Sequence, residues 1–548
     1  MMLEKTTRFD HLIAWIVILA ALGFYAVLQA KFLIDPYTSW IHVETASGDE
    51  LLRSYVKGSN WLNYLRVIVR GTGIDTNPAR LRFVNNAVEM FDSYWRQSLV
   101  TEIGFVPALS NASSLLYYSF CPLAAVLLAR RIIGPTVMGA VAVVLAVGAF
   151  LTGIGYESAS IFVFHPGKKI VIFVLLLDLI ALLSYVRRPR RTLVLFIGLF
   201  QFVLVLTDEI GLVCGLLVSG LTAAYILFFA RRRRADIAWL IAFVAATVAV
   251  YALNYALHWN AVFVQKLPAL DGTFGQLLIS MWPPGGLGLL TAHIGGAFST
   301  LYGSQFVVAF LSFSTAMACA AAIFTPGGRA TEGGIAGQQE GLGISQAGFL
   351  FLSALACLAL GAAAAVLLLR FVRADVLSKY NYYYASNLPV FAFFVECLAF
   401  RLMSFVARSG RPVWIALVRV SQLSLATALG LTIAANVQNM PRFNRLVGML
   451  HYNPYSYGSI NKLTNETINE AVTGRASTIT VPRCSETVLT ARYEQLLNAM
   501  GADAQTRNFF VASVSSPFVD DRVLRAFLSM MLRNPPPIES VDGPAGEC

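Results

Sequence analysis

RRPRRTLVLFIGLFQFVLVLTDEIGLVCGLLVSGLTAAYILFFARRRR, residues 187–234, contains two apolar runs bracketed by arginine and parted by one acidic turn. Runs of this kind in a bilayer are helices, because only a helix satisfies its own backbone hydrogen bonds without water. Clustered arginine marks the cytoplasmic ends of such helices. The stretch therefore reads as a helical hairpin with its open ends at the cytoplasm and Asp208-Glu209 on the far side. Working outward, Arg130-Arg131 closes an earlier apolar run in the same manner.

Composition agrees with this reading. Of 548 residues 57% are hydrophobic and only 13% charged, against roughly 25% charged in a soluble domain. The mean hydropathy is +0.65. A formal charge of +11 invites a nucleic-acid partner, but the excess lies in short loops between apolar runs, where membrane orientation accounts for it. Five of the seven cysteines (Cys121, Cys214, Cys319, Cys357 and Cys397) lie in apolar runs without ligand spacing and read as small hydrophobes. Cys484 and Cys548 fall in the polar tail, where a disulfide is permitted outside the cytoplasm.

Eleven spans are expected, at 12–34, 112–129, 133–153, 169–186, 192–206, 212–230, 237–257, 304–324, 347–371, 388–406 and 413–435. The first is longer than the apolar core of a cleavable signal, about 7–15 residues, and reads as a retained helix. The spans at 169–186 and 192–206 are short for a full crossing. The expected fold is thus an all-α polytopic membrane protein with a transmembrane domain over 1–435. An odd number of crossings leaves the N-terminus in the cytoplasm and the C-terminus in the periplasm. The alanine- and arginine-rich composition suggests a bacterial source, and the expected location is the inner membrane.

Three large segments then lie outside: the first loop 35–111, the loop 258–303 and the tail 436–548. The first loop carries helical patterns in which Val84, Val88, Met90 and Tyr94 share a face with Phe91 and Trp95. Such amphipathic helices suit the bilayer interface. The loop 258–303 repeats that character with Phe274, Leu277, Ile279 and Trp282. The tail has a β-like run at Thr478–Val481, another near Phe509–Val514, and helical patterns between and after them, which suggests a small α+β unit. Pro535-Pro536-Pro537 reads as the start of a disordered end. Inside, the Gly-rich segment 325–346 reads as a linker; it lacks the Lys-Ser/Thr of a phosphate-binding loop.

Ionisable residues near membrane depth are costly, and so they are informative. Several collect at the outer ends of the spans: Asp35, Asp49-Glu50, Glu157, Lys168-Lys169, Asp208-Glu209, Asp375 and Lys379. Each also reads as an ordinary interface charge, and Asp35 beside Pro36 as a turn former. The span centres are nearly clean, with Glu396 and Arg401 in the tenth span the notable exceptions. Carboxylates, basic groups and interfacial aromatics just outside a membrane suit sugar transfer from a polyprenyl-phosphate donor. A carboxylate deprotonates the acceptor hydroxyl, and Lys or Arg stabilises the departing phosphate.

The layout resembles the GT-C superfamily of multi-pass glycosyltransferases. The features that carry the likeness are an acid just after the first span, a long first outer loop with amphipathic helices, about eleven spans and an outer C-terminal part. The segment Lys379-Tyr380-Asn381-Tyr382-Tyr383-Tyr384 before Leu388-Pro389 is similar to that family's basic and tyrosine-rich stretch. The resemblance implies Asp35 as catalytic base and Lys379 or Arg373 as phosphate contact. The paired acids common in the family's first loop do not stand beside Asp35. Asp49-Glu50 offers such a pair, so the base is Asp35, Asp49 or Glu50. Glu157, Lys168, Lys169, Asp208, Glu209, Arg373, Lys379 and Tyr382 are the candidate substrate-binding residues.

The expected partners are a polyprenyl-phosphate-linked sugar, a glycan or lipid acceptor and membrane lipids, with no nucleic acid. No cofactor signature or metal-ligand spacing occurs, although the chemistry is compatible with a divalent cation. A transporter or flippase, or a glycan polymerase or ligase for envelope polysaccharide, is the alternative.

Overall fold

The structure is a computed structural model that describes residues 8–34, 82–88 with 91, 92 and 95, 112–134, 136–164, 166–257, 305–324, 343–372, 388–409, 412–449, 479–483 and 538–542. Among the described residues, eleven long helices follow one another along the chain. They are α1 (Arg8–Ile34), α2 (Ala112–Ile133), α3 (Val137–Phe164), α4 (Pro166–Arg187), α5 (Arg191–Thr207) and α6 (Glu209–Phe229). After a single 3₁₀ turn at Arg231–Arg233 come α7 (Arg234–Leu257), α8 (Gln305–Phe324), α9 (Ile344–Val372), α10 (Leu388–Ser409) and α11 (Pro412–Met449). Seven of these are long and apolar enough to cross a membrane: α2, α4, α6, α7, α9, α10 and α11. The apolar stretches of α1, α3, α5 and α8 are shorter. By length and composition this is a multi-pass membrane protein.

The outward side chains point the same way. Leu12, Ile16 and Leu19 on α1, Ile241 and Leu253 on α7, and Val413 and Leu423 on α11 are all more than half exposed. Water would penalise so much apolar surface, whereas lipid tails solvate it.

Every helix sits over one of the expected apolar runs, but the boundaries differ where local chemistry overrides hydropathy. The third run, expected from residue 133, begins instead at Val137. Gly134 takes φ +104 and ends α2 in the left-handed conformation that glycine adopts without strain. Pro135 follows it, and Thr136 Oγ1 accepts from Gly139 N at 3.0 Å to start α3. The last helix runs to Met449 rather than stopping near 435. Its final turns are polar, so hydropathy could not show them.

The core is built around α10, in which every residue from Leu388 to Phe400 is buried. It packs against α2, α3, α4, α8, α9 and α11. Phe393 stacks on Phe150 of α3 with centroids 4.9 Å apart. Beside this, α4, α5 and α6 pack on one another as an up-and-down trio, with α7 laid against α5 and α6. Gly211 makes the α5–α6 hairpin tight, since a Cβ there would fall 2.0 Å from the backbone oxygen of Leu204.

Far along the chain, β1 (Ile479–Arg483) pairs in parallel with β2 (Ile538–Asp542), Ile479 facing Ile538. The expected β-run at 478–481 is therefore a strand. Its partner is a segment the sequence suggested to be disordered. That correction has a simple cause: Ile538, Val541 and their neighbours form a short strand directly after the prolines, which punctuate a chain without forbidding order beyond them. The second expected strand at 509–514 and the expected helices of the tail lie outside the described residues, as does the loop 258–303.

Candidate functional site

The two ends of the bundle differ in kind. At the end formed by the α2–α3 turn, the 188–190 loop and the α6–α7 junction, arginine fastens helices together. Arg131 donates to Ser184 Oγ at 2.5 Å and to Ile180 O at 3.3 Å, joining α2 to α4. Arg187 donates back to Arg131 O, and Arg233 donates to Pro189 O at 3.0 Å. Arg401 of α10 donates to Ile133 O at 3.3 Å and lies over the Phe405 ring. It thus meets the carbonyl-rich, partially negative terminus of α2. Asp236, 1% exposed, accepts from Tyr185 Oη at 2.9 Å and lies 3.7 Å from Arg191 Nε.

The opposite end is built from helix N-termini. α2, α4 and α6 all begin there, and a segment of the long first loop crosses them. Residues 83–88 of that segment are helical, as are Phe91, Asp92 and Trp95. Three contacts anchor it. Asp92, 2% exposed, accepts from Ser113 N at 2.8 Å and from Ser113 Oγ at 2.5 Å. It thereby caps α2 with a negative charge where the helix dipole favours one. Asn85 lies directly against Gly167 in the first turn of α4, where a Cβ would come within 2.5 Å of its Oδ1. Arg82 Nη2 stands 3.9 Å from Asp208 Oδ2.

Asp208 is fixed from the other side as well. It is the N-cap of α6, accepting from Ile210 N at 3.2 Å, and its own N–H donates to Leu204 O at 3.3 Å. One buried carboxylate therefore turns α5 into α6 and pairs with the first loop. Lys169, one turn into α4, is 1% exposed. Asn85 and Asn86 are buried too. Arg82, Asn85, Asn86, Asp92, Lys169 and Asp208 thus form a polar cluster drawn from three separate parts of the chain.

Of the residues the sequence singled out, Lys169 and Asp208 are brought to this end together. Glu157, Lys168 and Glu209 belong to α3, α4 and α6, but their side chains are not described. Asp35, Asp49, Glu50, Arg373, Lys379 and Tyr382 lie outside the described residues. Arg82, Asn85, Asn86 and Asp92 were missed as site residues. Their signal was present, since they punctuate the very stretch read as an interfacial helix, ARLRFVNNAVEMFDSYW. That pattern drew attention to its apolar face rather than to its polar one.

The span interiors also hold more charge than the sequence reading allowed. Glu396 is buried in α10, as expected for that position. Asp178, at the middle of α4 in the run LLLDLI, was passed over. It is fully buried. Among the described residues no group of three His, Cys, Asp or Glu is placed to hold a metal ion.

No protein-family model, curated protein or solved structure matches the chain. Its class rests on its own helices and their polar end.

Proposed function

We propose that the protein is an inner-membrane glycosyltransferase that moves a sugar from a polyprenyl-phosphate donor to a cell-surface glycan or lipid. In this reading all eleven helices cross the bilayer. The arginine-rich end faces the cytoplasm, and the Arg82–Asp208 end faces the periplasm together with the loops 35–111 and 258–303 and a small α+β tail. The observation that carries the proposal is the docking of the first loop, through Arg82, Asn85 and Asp92, across the N-termini of α4, α6 and α2. The N-terminus of α4 with the buried Lys169, beside Arg82, would favour an anion, and a lipid phosphate at the bilayer edge is one.

In the reaction the acceptor hydroxyl loses its proton to a carboxylate and attacks the anomeric carbon. The bond from that carbon to the phosphate oxygen breaks, and the polyprenyl phosphate leaves with the electron pair. Asp35, Asp49 and Glu50, which follow α1 on the same loop as Arg82, are the candidate bases. Lys169 and Arg82 would stabilise the negative charge growing on the phosphate. Asp208 is a positioning residue, holding Arg82 while it caps α6. Lys168, Glu157, Glu209, Arg373, Lys379 and Tyr382 remain candidate contacts to sugar or phosphate.

One observation favours a second reading. A transporter or flippase for envelope polysaccharide would place ionisable groups inside its helices, and Asp178 is one. Both readings are separated by purified protein in proteoliposomes with a polyprenyl-phosphate hexose or pentose labelled in the sugar. Transfer to an acceptor is expected, with a fall of about 100-fold or more in one of Asp35→Asn, Asp49→Asn and Glu50→Gln. Full transfer by all three variants would remove these acids from the chemistry. Labelled donor that crosses the membrane without transfer would establish the flippase instead.

A further inference from the structure

Asp178 has both carboxylate oxygens buried without a hydrogen-bond partner among the described residues. A second group shares its condition. Gln201 of α5 is fully buried; its Oε1 accepts from Ser219 Oγ of α6 at 2.5 Å, while its Nε2 has no partner. These two residues lie at one depth. α4 ends at Arg187 and α5 starts at Arg191, and counting back to Asp178 and forward to Gln201 gives about 14–15 Å from that loop at 1.5 Å per residue.

They also turn toward one helix. Tyr185, two turns along α4 from Asp178 and so on the same stripe, meets Tyr225 of α6 edge-on at 6.5 Å between centroids. Gln201 is held against α6 by Ser219. An acceptor lacking a donor and a donor lacking an acceptor therefore sit level, against the same neighbour, in the middle of a three-helix packing.

A bare carboxylate in such surroundings is prohibitively costly, and a buried group of this kind neutralises itself instead. Among the described residues the helices packed on α4 place no basic side chain between the two ends. Their titratable side chains there are Tyr117, Tyr118 and Cys121 on α2, Cys214 and Tyr225 on α6, and Glu396 and Cys397 on α10, and α3 carries Tyr156 and Glu157. Arg130, Arg131, Arg191 and Arg401 stand at the arginine-rich end, where Arg131 and Arg401 donate to neighbouring helices and Arg191 meets Asp236. Metal binding fits poorly. α4, α5 and α6 run unbroken through this depth, so their carbonyls are spent within the helices. One carboxylate, one amide and one hydroxyl fall short of the six or so oxygens that a hard cation gathers.

We propose that Asp178 is a proton-binding site at the centre of the bundle, its neutral acid sharing a water molecule with the Gln201 amide. The site's ligand is a single proton on one carboxylate oxygen. Its release would leave an unpaired charge in the apolar interior, so α4 must shift against α5 and α6 for the proton to leave. This inference does not rest on the sugar-transfer reading.

The test is isotope-edited infrared spectroscopy of the full chain in lipid nanodiscs, grown with unlabelled or carbonyl-¹³C aspartate. The expected result at neutral pH is a carbonyl band of an unionised carboxylic acid that shifts with the label and vanishes in Asp178→Asn. Gln201→Leu, which removes the amide, is expected to keep the band and move it to higher frequency, toward an acid without a hydrogen bond. Because Gln201→Leu reads the band directly, the test holds even if Asp178→Asn fails to fold. Absence of any label-sensitive acid band in the wild type, or persistence of the band in Asp178→Asn, would overturn the proposal. So would a band unmoved by Gln201→Leu. Loss of the band on adding sodium, but not choline, would assign a metal cation to the site and overturn it equally.

Discussion

The same side chain does opposite work at the two ends of this bundle. At one end Arg131, Arg187 and Arg401 donate to backbone carbonyls of neighbouring helices, Arg233 donates to Pro189 O in the α4–α5 loop, and Arg232 and Arg234 are exposed. Most of the charge there is partly solvated, with Asp236 the buried exception, and it fastens helices through backbone carbonyls. At the other end Arg82 comes from a loop and meets Asp208, whose side chain is 6% exposed, with Lys169, Asn85 and Asn86 buried around them. Desolvated charge costs several kcal/mol per ion. In the proposed reading this desolvated charge is kept for the phosphate it would meet.

This contrast can be broken by substitution, and the largest effect is expected at Asp208. Asp208→Ala removes the α6 cap, worth about 1 kcal/mol, and leaves Arg82 without this partner in a mostly buried position. Together these should cost about 3 kcal/mol, seen as a large drop in the thermal midpoint in detergent. The double variant Arg82→Met with Asp208→Leu sharpens the point. It should recover most of that stability, because an apolar pair replaces a buried ionic one without penalty, and yet transfer no sugar. Activity in that double variant would reduce the cluster to scaffold.

Gly211→Val comes next, because its branched side chain would strike the Leu204 backbone and pry α5 from α6. Overpacking of this kind costs about 2–3 kcal/mol. At the arginine-rich end, Tyr185→Phe deletes one buried hydrogen bond to Asp236 and should cost about 1 kcal/mol. The smallest effect is expected for Arg232→Ala, within about 0.5 kcal/mol, since that side chain is exposed. A midpoint change for Arg232→Ala as large as that for Asp208→Ala would erase the distinction between the ends.

Most of the fold was legible as hydropathy. Each of the eleven apolar runs coincides with a helix over nearly all its length, including the short ones at 169–186 and 192–206, which became α4 and α5. Hydropathy failed where polar geometry sets the ends. Gly134 and Pro135 delay α3, and the polar turns of α11 continue beyond the apolar ones. The site was half legible. Asp208 was marked by its short turn between two long apolar runs, and Lys169 by its place at the head of one. Arg82, Asn85 and Asp92 acquire meaning only when their loop lies across α2, α4 and α6. That contact joins residues 82–92 to Ser113, Gly167 and Asp208, and no local period records it. Asp178 needed no such contact. A lone carboxylate in LLLDLI is visible in the bare sequence, and was obscured by its strongly apolar neighbours.

The central claim is that the polar end and the arginine-rich end lie on opposite sides of the membrane, the polar end away from the cytoplasm. Single cysteines at Gly48 in the first loop and at Arg188 in the α4–α5 loop, placed in a variant with the native cysteines replaced, test it with a membrane-impermeant thiol reagent on intact spheroplasts. The account predicts that Gly48→Cys is labelled in intact spheroplasts and Arg188→Cys only after permeabilisation. Labelling of Arg188→Cys in intact spheroplasts, with Gly48→Cys protected until they are opened, would contradict it.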